Sequence, residues 1–70
     1  MEIFSERFKI VLEKRGLSQR KFAGILGVEQ TTVNSYCTGN CVPSVAMLLR
    51  ISELLDVSTD YLLGRAGNFE

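Results

Sequence analysis

Apolar residues recur along this chain at the spacing of one helix face, and small polar residues or glycine interrupt each run. Ile3, Phe4, Phe8, Val11 and Leu12 form the first such face, which stops at Gly16. The spacing predicts a helix over about Ile3–Arg15, closed by a left-handed turn at Gly16. Ser18 stands as N-cap before QRKFAGIL, a second helix turning Phe22, Ala23 and Leu26 inward and ending at Gly27. Only Val28 and Glu29 separate that glycine from QTTVNSYC, a third helical stretch with Val33 and Tyr36 on its inner side. The segment TGNCVP, Thr38 to Pro43, has the composition of a loop. Ser44 caps VAMLLRISELL, expected to bury Val45, Leu48, Leu49, Ser52 and Leu55 or close neighbours. Ser58 caps a last short helix, TDYLL, which Gly64 closes.

The fold class is therefore all-α, five short helices of low contact order that fold without a cofactor. The second and third helices, joined by a short turn containing glycine, have the geometry of a helix-turn-helix over about residues 18–37. Seventy residues allow one domain, taken as 3–66, followed by a polar tail, 67–70. Apolar residues at 46% and charged residues at 23% are the balance of a globular chain rather than a disordered one. No apolar run nears a membrane span, and MEIFSERFKI lacks an export signal, so the expected location is the cytoplasm.

Charge and candidate chemistry narrow the function. The net charge is zero, yet Arg7, Lys9, Lys14, Arg15, Arg20 and Lys21 face one acid, Glu13, between residues 7 and 21. From Arg50 onward the balance reverses, with Glu53, Asp56, Asp60 and Glu70 against Arg50 and Arg65. A basic end of this kind suits phosphate, although a solvated helix surface explains it equally well. Histidine is absent, and the two cysteines, Cys37 and Cys41, lack both a histidine base and the further ligands a structural zinc needs. No glycine-rich phosphate loop is present, so catalysis, metal binding and a cofactor are not expected.

The ordered strings GLSQRKFAGILGVEQTTVNSY, TGNCVPS and LLRISELLDVSTDYLLG resemble the phage repressor and Cro-like helix-turn-helix family over residues 6–64. The most specific pieces are Gly16-Leu17-Ser18-Gln19, Ala23 with Leu26-Gly27-Val28, Gly39 with Pro43-Ser44, and Leu55-Asp56-Val57-Ser58 ahead of Tyr61-Leu62-Leu63. The resemblance implies a lambda-repressor-like domain whose second helix lies across the DNA backbone and whose third enters the major groove. By that likeness Gln19 contacts phosphate, with Arg20 and Lys21 adding charge, and Thr38, Gly39 and Asn40 approach the backbone from the loop. Gly39 is equally explained by its turn. Gln30, Thr31, Asn34 and Ser35 match base-facing positions, and their amides and hydroxyls suit base edges.

Three departures from the family pattern stand out. Many members pair an arginine in the first helix with a glutamate late in the third; here these positions are Leu12 and Cys37, expected to touch within the core. Glu29 occupies a capping position where serine or threonine is usual, so it caps poorly and bears on specificity by repelling phosphate or by accepting from a cytosine amino group. The loop reads Asn40-Cys41-Val42 where a basic residue commonly follows the glycine, so Cys41 is exposed and affinity moderate, with about four to six ionic contacts per dimer.

The expectation is a transcriptional regulator, acting as a repressor, that binds double-stranded DNA as a homodimer on a two-fold symmetric operator. Leu63, Arg65 and Phe69 are the candidate dimer contacts. The alternative is a protein-interaction module, antitoxin-like, with a protein partner and weak or no DNA binding.

Overall fold

The structure, a computed structural model, describes residues 2–67. It contains five helices and no strand among the described residues: α1 Glu2–Lys14, α2 Gln19–Leu26, α3 Gln30–Thr38, α4 Val45–Leu55 and α5 Thr59–Leu62. Three of the expected N-caps are made in the same way. Ser18, Ser44 and Ser58 hold extended backbone, and each hydroxyl accepts from the amide three residues on, at Lys21, Met47 and Tyr61. Each such cap contributes about 1 kcal/mol to its helix. Gly16, Gly27 and Gly64, expected to close helices, all take positive φ.

Phe8 is the hub of the core. It is fully buried, stacks on Phe4 one turn earlier at 5.4 Å, and meets Phe22 of α2 and Tyr36 of α3 edge-on at 5.7 and 6.2 Å. Tyr36 also meets Phe4 edge-on at 6.3 Å. One aromatic cluster thus fixes α1 against both α2 and α3, each edge contact adding about 0.5–1.5 kcal/mol to simple burial. Val11, Leu12, Ala23, Leu26, Val33, Cys37, Ile51, Leu55, Val57, Tyr61 and Leu62 complete it. The inward faces expected for α2 and α3 are those observed.

Two expectations are corrected. Thr38 belongs to α3, not to the loop: its hydroxyl donates to the Ser35 carbonyl at 3.3 Å, and the helix ends only at Gly39. In α4 the buried side is Ile51, Ser52 and Leu55, flanked by half-buried Met47 and Leu48, while Leu49 is exposed and Val45 is 77% exposed. The apolar arc of this helix is broad, interrupted on one side by Arg50 and Glu53, and the buried stripe lies on the flank away from Val45 and Leu49. Smaller shifts occur at the ends. The first helix runs Glu2–Lys14, and α5 stops at Leu62 with Leu63 as C-cap.

Three arginines join the helices by filling exposed carbonyls at the ends of other elements. Arg15 Nε donates to Leu55 O at 2.9 Å and its Nη2 to Asp56 O at 3.1 Å, at the C-terminus of α4. Arg7 Nη1 donates to Tyr61 O and Ala66 O at 3.1 and 2.6 Å, and its guanidinium lies 4.4 Å from the centre of the Tyr61 ring. Arg50 Nη2 donates to Leu26 O, the last carbonyl of α2, at 3.0 Å. Helix C-termini carry unpaired carbonyls and partial negative charge, so a guanidinium there is favoured twice over.

Candidate nucleic-acid interface

The helix-turn-helix is built from α2, a three-residue turn and α3. Gly27 takes φ +83° with its amide bonded to Ala23 O, and Val28 N–H adds a second bond to the same carbonyl at 3.0 Å. That pairing is a left-handed helix ending, a backbone state available to glycine at little cost. Val28 is half-buried against the core and fixes the turn from inside. Glu29 then opens α3 from extended backbone (φ −75°, ψ 153°) with no side-chain cap bond. The α3 N-terminus is thus left to the backbone alone, as expected of a glutamate at this position.

The outer side of α3 is uniformly polar and uncharged. Gln30, Thr31 and Asn34 are exposed and Ser35 is half-buried, while Val33, Tyr36 and Cys37 face the core. At 100° per residue these four outer positions fall within an arc of about 140°, one continuous face. The structure brings them together with Glu29, exposed at the head of the same helix. Ser35 contributes its carbonyl as well, accepting from Thr38 Oγ1 and from Cys41 N–H at 3.4 Å, which folds the following loop back onto the helix.

The positions expected at the DNA backbone lie at the ends of the motif. Arg20 and Lys21 are exposed in the first turn of α2, and Gln19 is half-buried beside them. Asn40 is exposed, and Gly39 takes φ +82° as the C-cap of α3. A Cβ on Gly39 would meet only ordinary contact with Ser5 Oγ at 3.6 Å, so the turn, not crowding, accounts for glycine there. Thr38 keeps its hydroxyl proton on Ser35 O and presents only acceptor lone pairs outward.

A shallow groove of about 330 Å³ joins Lys9 and Glu13 of α1 to Ser18 and Gln19 at the start of α2, with Leu12, Leu17 and Cys37 as its floor. It places the first turn of α2 beside the last turns of α3. Lys9 enters the site here, a residue that helix periodicity counts only as a solvated cation; the signal in the sequence is its place on the side of α1 that flanks Leu12. Cys37 and Leu12 are 3% and 4% exposed and line one groove, as expected of an apolar replacement for an ion pair. Burial raises the Cys37 thiol above its ordinary pKa, partly opposed by the Lys9 charge, so the sulfur stays protonated and unreactive. Cys41 is exposed. Burial likewise raises Tyr36, with a smaller contribution from Cys41.

Of the expected dimer contacts, Leu63 and Arg65 lie among the described residues. Leu63 is half-buried and lines an apolar cleft of about 270 Å³ with Phe4, Val42, Pro43, Val45 and Leu48. Arg65 is exposed beyond α5, its amide bonded to Asp60 O at 2.7 Å, and Phe69 lies outside the described residues. Val42, Val45 and Leu49, all more than half exposed, are the apolar surface that pattern reading missed by assigning Val45 and Leu49 to the core. No helix among the described residues is long and apolar enough to cross a membrane.

A helix-turn-helix family model matches residues 8–62. The chain is 36% identical over 61 residues to the SPbeta prophage-derived uncharacterized HTH-type transcriptional regulator YonR of Bacillus subtilis (strain 168), covering 87% of this chain and 56% of that protein. It is 36% identical over 66 residues to the uncharacterized HTH-type transcriptional regulator YqaE of the same organism, covering 94% and 57%. To the HTH-type transcriptional regulator ImmR, also of that strain, it is 35% identical over 60 residues, covering 86% and 47%. The chain thus spans about half the length of the curated relatives it matches. No solved structure matches it. With the fold, the glycine turn and the polar third helix in place, the chain belongs to the helix-turn-helix family of Cro- and repressor-like type, a family of DNA-binding transcription regulators and not of enzymes.

Proposed function

We propose that this chain reads double-stranded DNA in the cytoplasm as a homodimeric repressor on a two-fold symmetric operator. The observation that carries the reading is the outer face of α3, where exposed Gln30, Thr31 and Asn34 and half-buried Ser35 form a polar surface without charge. Base edges are read by amides and hydroxyls, and the flanking helix-turn-helix favours that use over an ordinary solvated face. Attraction comes from beside it, through Arg20, Lys21 and Lys9 with the Gln19 amide, and through Asn40 and the backbone of Gly39 at the far end. Glu29 heads the reading helix and shapes specificity. Dimerisation supplies the second half-site, and Leu63 with the exposed Val42, Val45 and Leu49 offers the apolar surface for it, with Arg65 and, outside the described residues, Phe69 as the further candidate contacts.

The test is selection of random duplexes on the purified chain at low salt. An enriched inverted repeat with half-sites about one helical turn apart supports the reading. Gln30→Ala and Ser35→Ala should relax that motif while the protein stays folded. Absence of any enriched sequence defeats it. The same apolar surface also fits a different protein, and retention of such a partner without DNA selection would favour the interaction-module reading.

A further inference from the structure

Helix α4 stands between the two parts of the molecule that a dimeric reader must coordinate. One flank carries exposed Val45 and Leu49, next to Val42 and the cleft that Leu63 lines. The other meets the helix-turn-helix through α2. At that junction Arg50, the residue after Leu49, reaches 3.0 Å to the carbonyl of Leu26. Leu26 is the last residue of α2, and the left-handed Gly27 and the turn into α3 follow directly. The α2 ending is otherwise closed on itself, since both the Gly27 and Val28 amides return to Ala23 O. The Leu26 carbonyl is therefore held from outside the motif, by a charged donor on α4.

We propose that Arg50 is a positioning residue that sets the separation of the two reading helices, and so determines which half-site spacing a dimer accepts. This rests on the homodimeric reading above. The bond runs to the end of α2 and not to the base-reading helix itself, so its effect is on the angle between α2–α3 and α4. Arg50 ties α4 at its middle, and Arg15 holds its C-terminal end separately at Leu55 O and Asp56 O, so the helix is fastened at two points. Loss of the Arg50 tie leaves the fold but lets the helix-turn-helix pivot relative to α4.

The experiment compares the full chain with Arg50→Met, which keeps the aliphatic stem, and Arg50→Lys, which keeps a single donor. Each is measured on a single half-site and on the selected inverted repeat at its preferred spacing and with one base pair added or removed. Wild type should lose about tenfold or more in affinity when spacing changes, and Arg50→Met should shrink that penalty to about twofold to threefold, a change smaller than the full value of a charge-assisted bond because Arg50 is exposed to solvent. Half-site affinity should stay within about twofold, and Arg50→Lys should fall between. Equal losses at all spacings and on the half-site would show a merely structural role and overturn the proposal, as would an unchanged spacing penalty. If Arg50→Met does not fold, the folded Arg50→Lys variant carries the same comparison. Wild type that is indifferent to spacing would instead sink the dimer reading, and this proposal with it.

Discussion

Replacing Leu12 by arginine and Cys37 by glutamate, singly and together, measures how the core tolerates the charges that relatives of this fold commonly carry there. Both side chains are almost wholly buried and share the groove floor. A single buried charge without a partner costs about 3–5 kcal/mol. Against a total on the order of 4–10 kcal/mol for a domain of this size, either single variant is severely destabilised. The two should not be equal. Lys9 lies close enough to oppose the rise of the Cys37 pKa, so it partly offsets a carboxylate placed there, while an arginine at position 12 meets both Lys9 and Glu13 of the groove, whose charges oppose one another. Cys37→Glu should therefore sit at the low end of the range and Leu12→Arg at the high end. The double variant should recover to within about 1–2 kcal/mol of wild type, a coupling of several kcal/mol between the sites. Urea melts followed by circular dichroism, in an osmolyte that keeps the weakest variant folded, give all four stabilities. If the two losses simply add in the double variant, the side chains do not face one another and the reasoning fails.

Gly24 lies within α2 with open space where a Cβ would stand, so Gly24→Ala should stabilise by about 0.5–1 kcal/mol and raise the Tm by several degrees; an unchanged Tm would refute this. Cys37 and Tyr36 both have pKa values raised by burial, so the unfolded chain loses these protons first. Their contribution is complete below the ordinary thiol value of 9.0 and is lost as pH rises past it; a Tm that stays flat to strongly alkaline pH would contradict this. In native protein near neutral pH a thiol reagent should modify Cys41 quickly and Cys37 only on unfolding, and a second fast thiol would show that Cys37 is accessible. Glu29→Ser should add a hydroxyl cap to α3 worth about 1 kcal/mol, read as a higher urea midpoint, and no gain would mean that the α3 N-terminus is already satisfied.

Local rules were enough for much of the architecture. Serine before an apolar run and glycine after it act within a few residues, and so Ser18, Ser44, Ser58, Gly16 and Gly27 mark their helix ends from the sequence alone. The inner faces of α2 and α3 were legible for the same reason, since each carries a narrow apolar stripe between polar flanks. The α4 face was not, because its apolar arc is wide and only Arg50 and Glu53 mark the polar side, so tertiary packing decides which apolar flank is buried, Ile51 and not Leu49. The polar constellation on α3 was visible because it lies on one helix. Lys9 was not, since its approach to Gln19 depends on how α1 crosses the start of α2.

The arginine ties change what the charge pattern means. Counted along the sequence, residues 7–21 carry six cations, which reads as a broad basic surface. In the fold, Arg7 and Arg15 spend their donors on backbone carbonyls of the C-terminal helices, and Arg50 does the same for α2. The other cations of that stretch are Lys9, Lys14, Arg20 and Lys21, none of them on α3 itself. Arg7 and Arg15 keep their charge and still add to the long-range field, but on the proposed reading direct phosphate contact falls to Lys9, Arg20 and Lys21, and discrimination rests on short-range amide and hydroxyl contacts that only a docked helix can make. Such a reader gains little from nonspecific phosphate binding, and its dependence on salt is shallow. Specificity must then come from doubling the half-site, which makes the geometry of α4, and not the number of basic residues, the feature on which function turns.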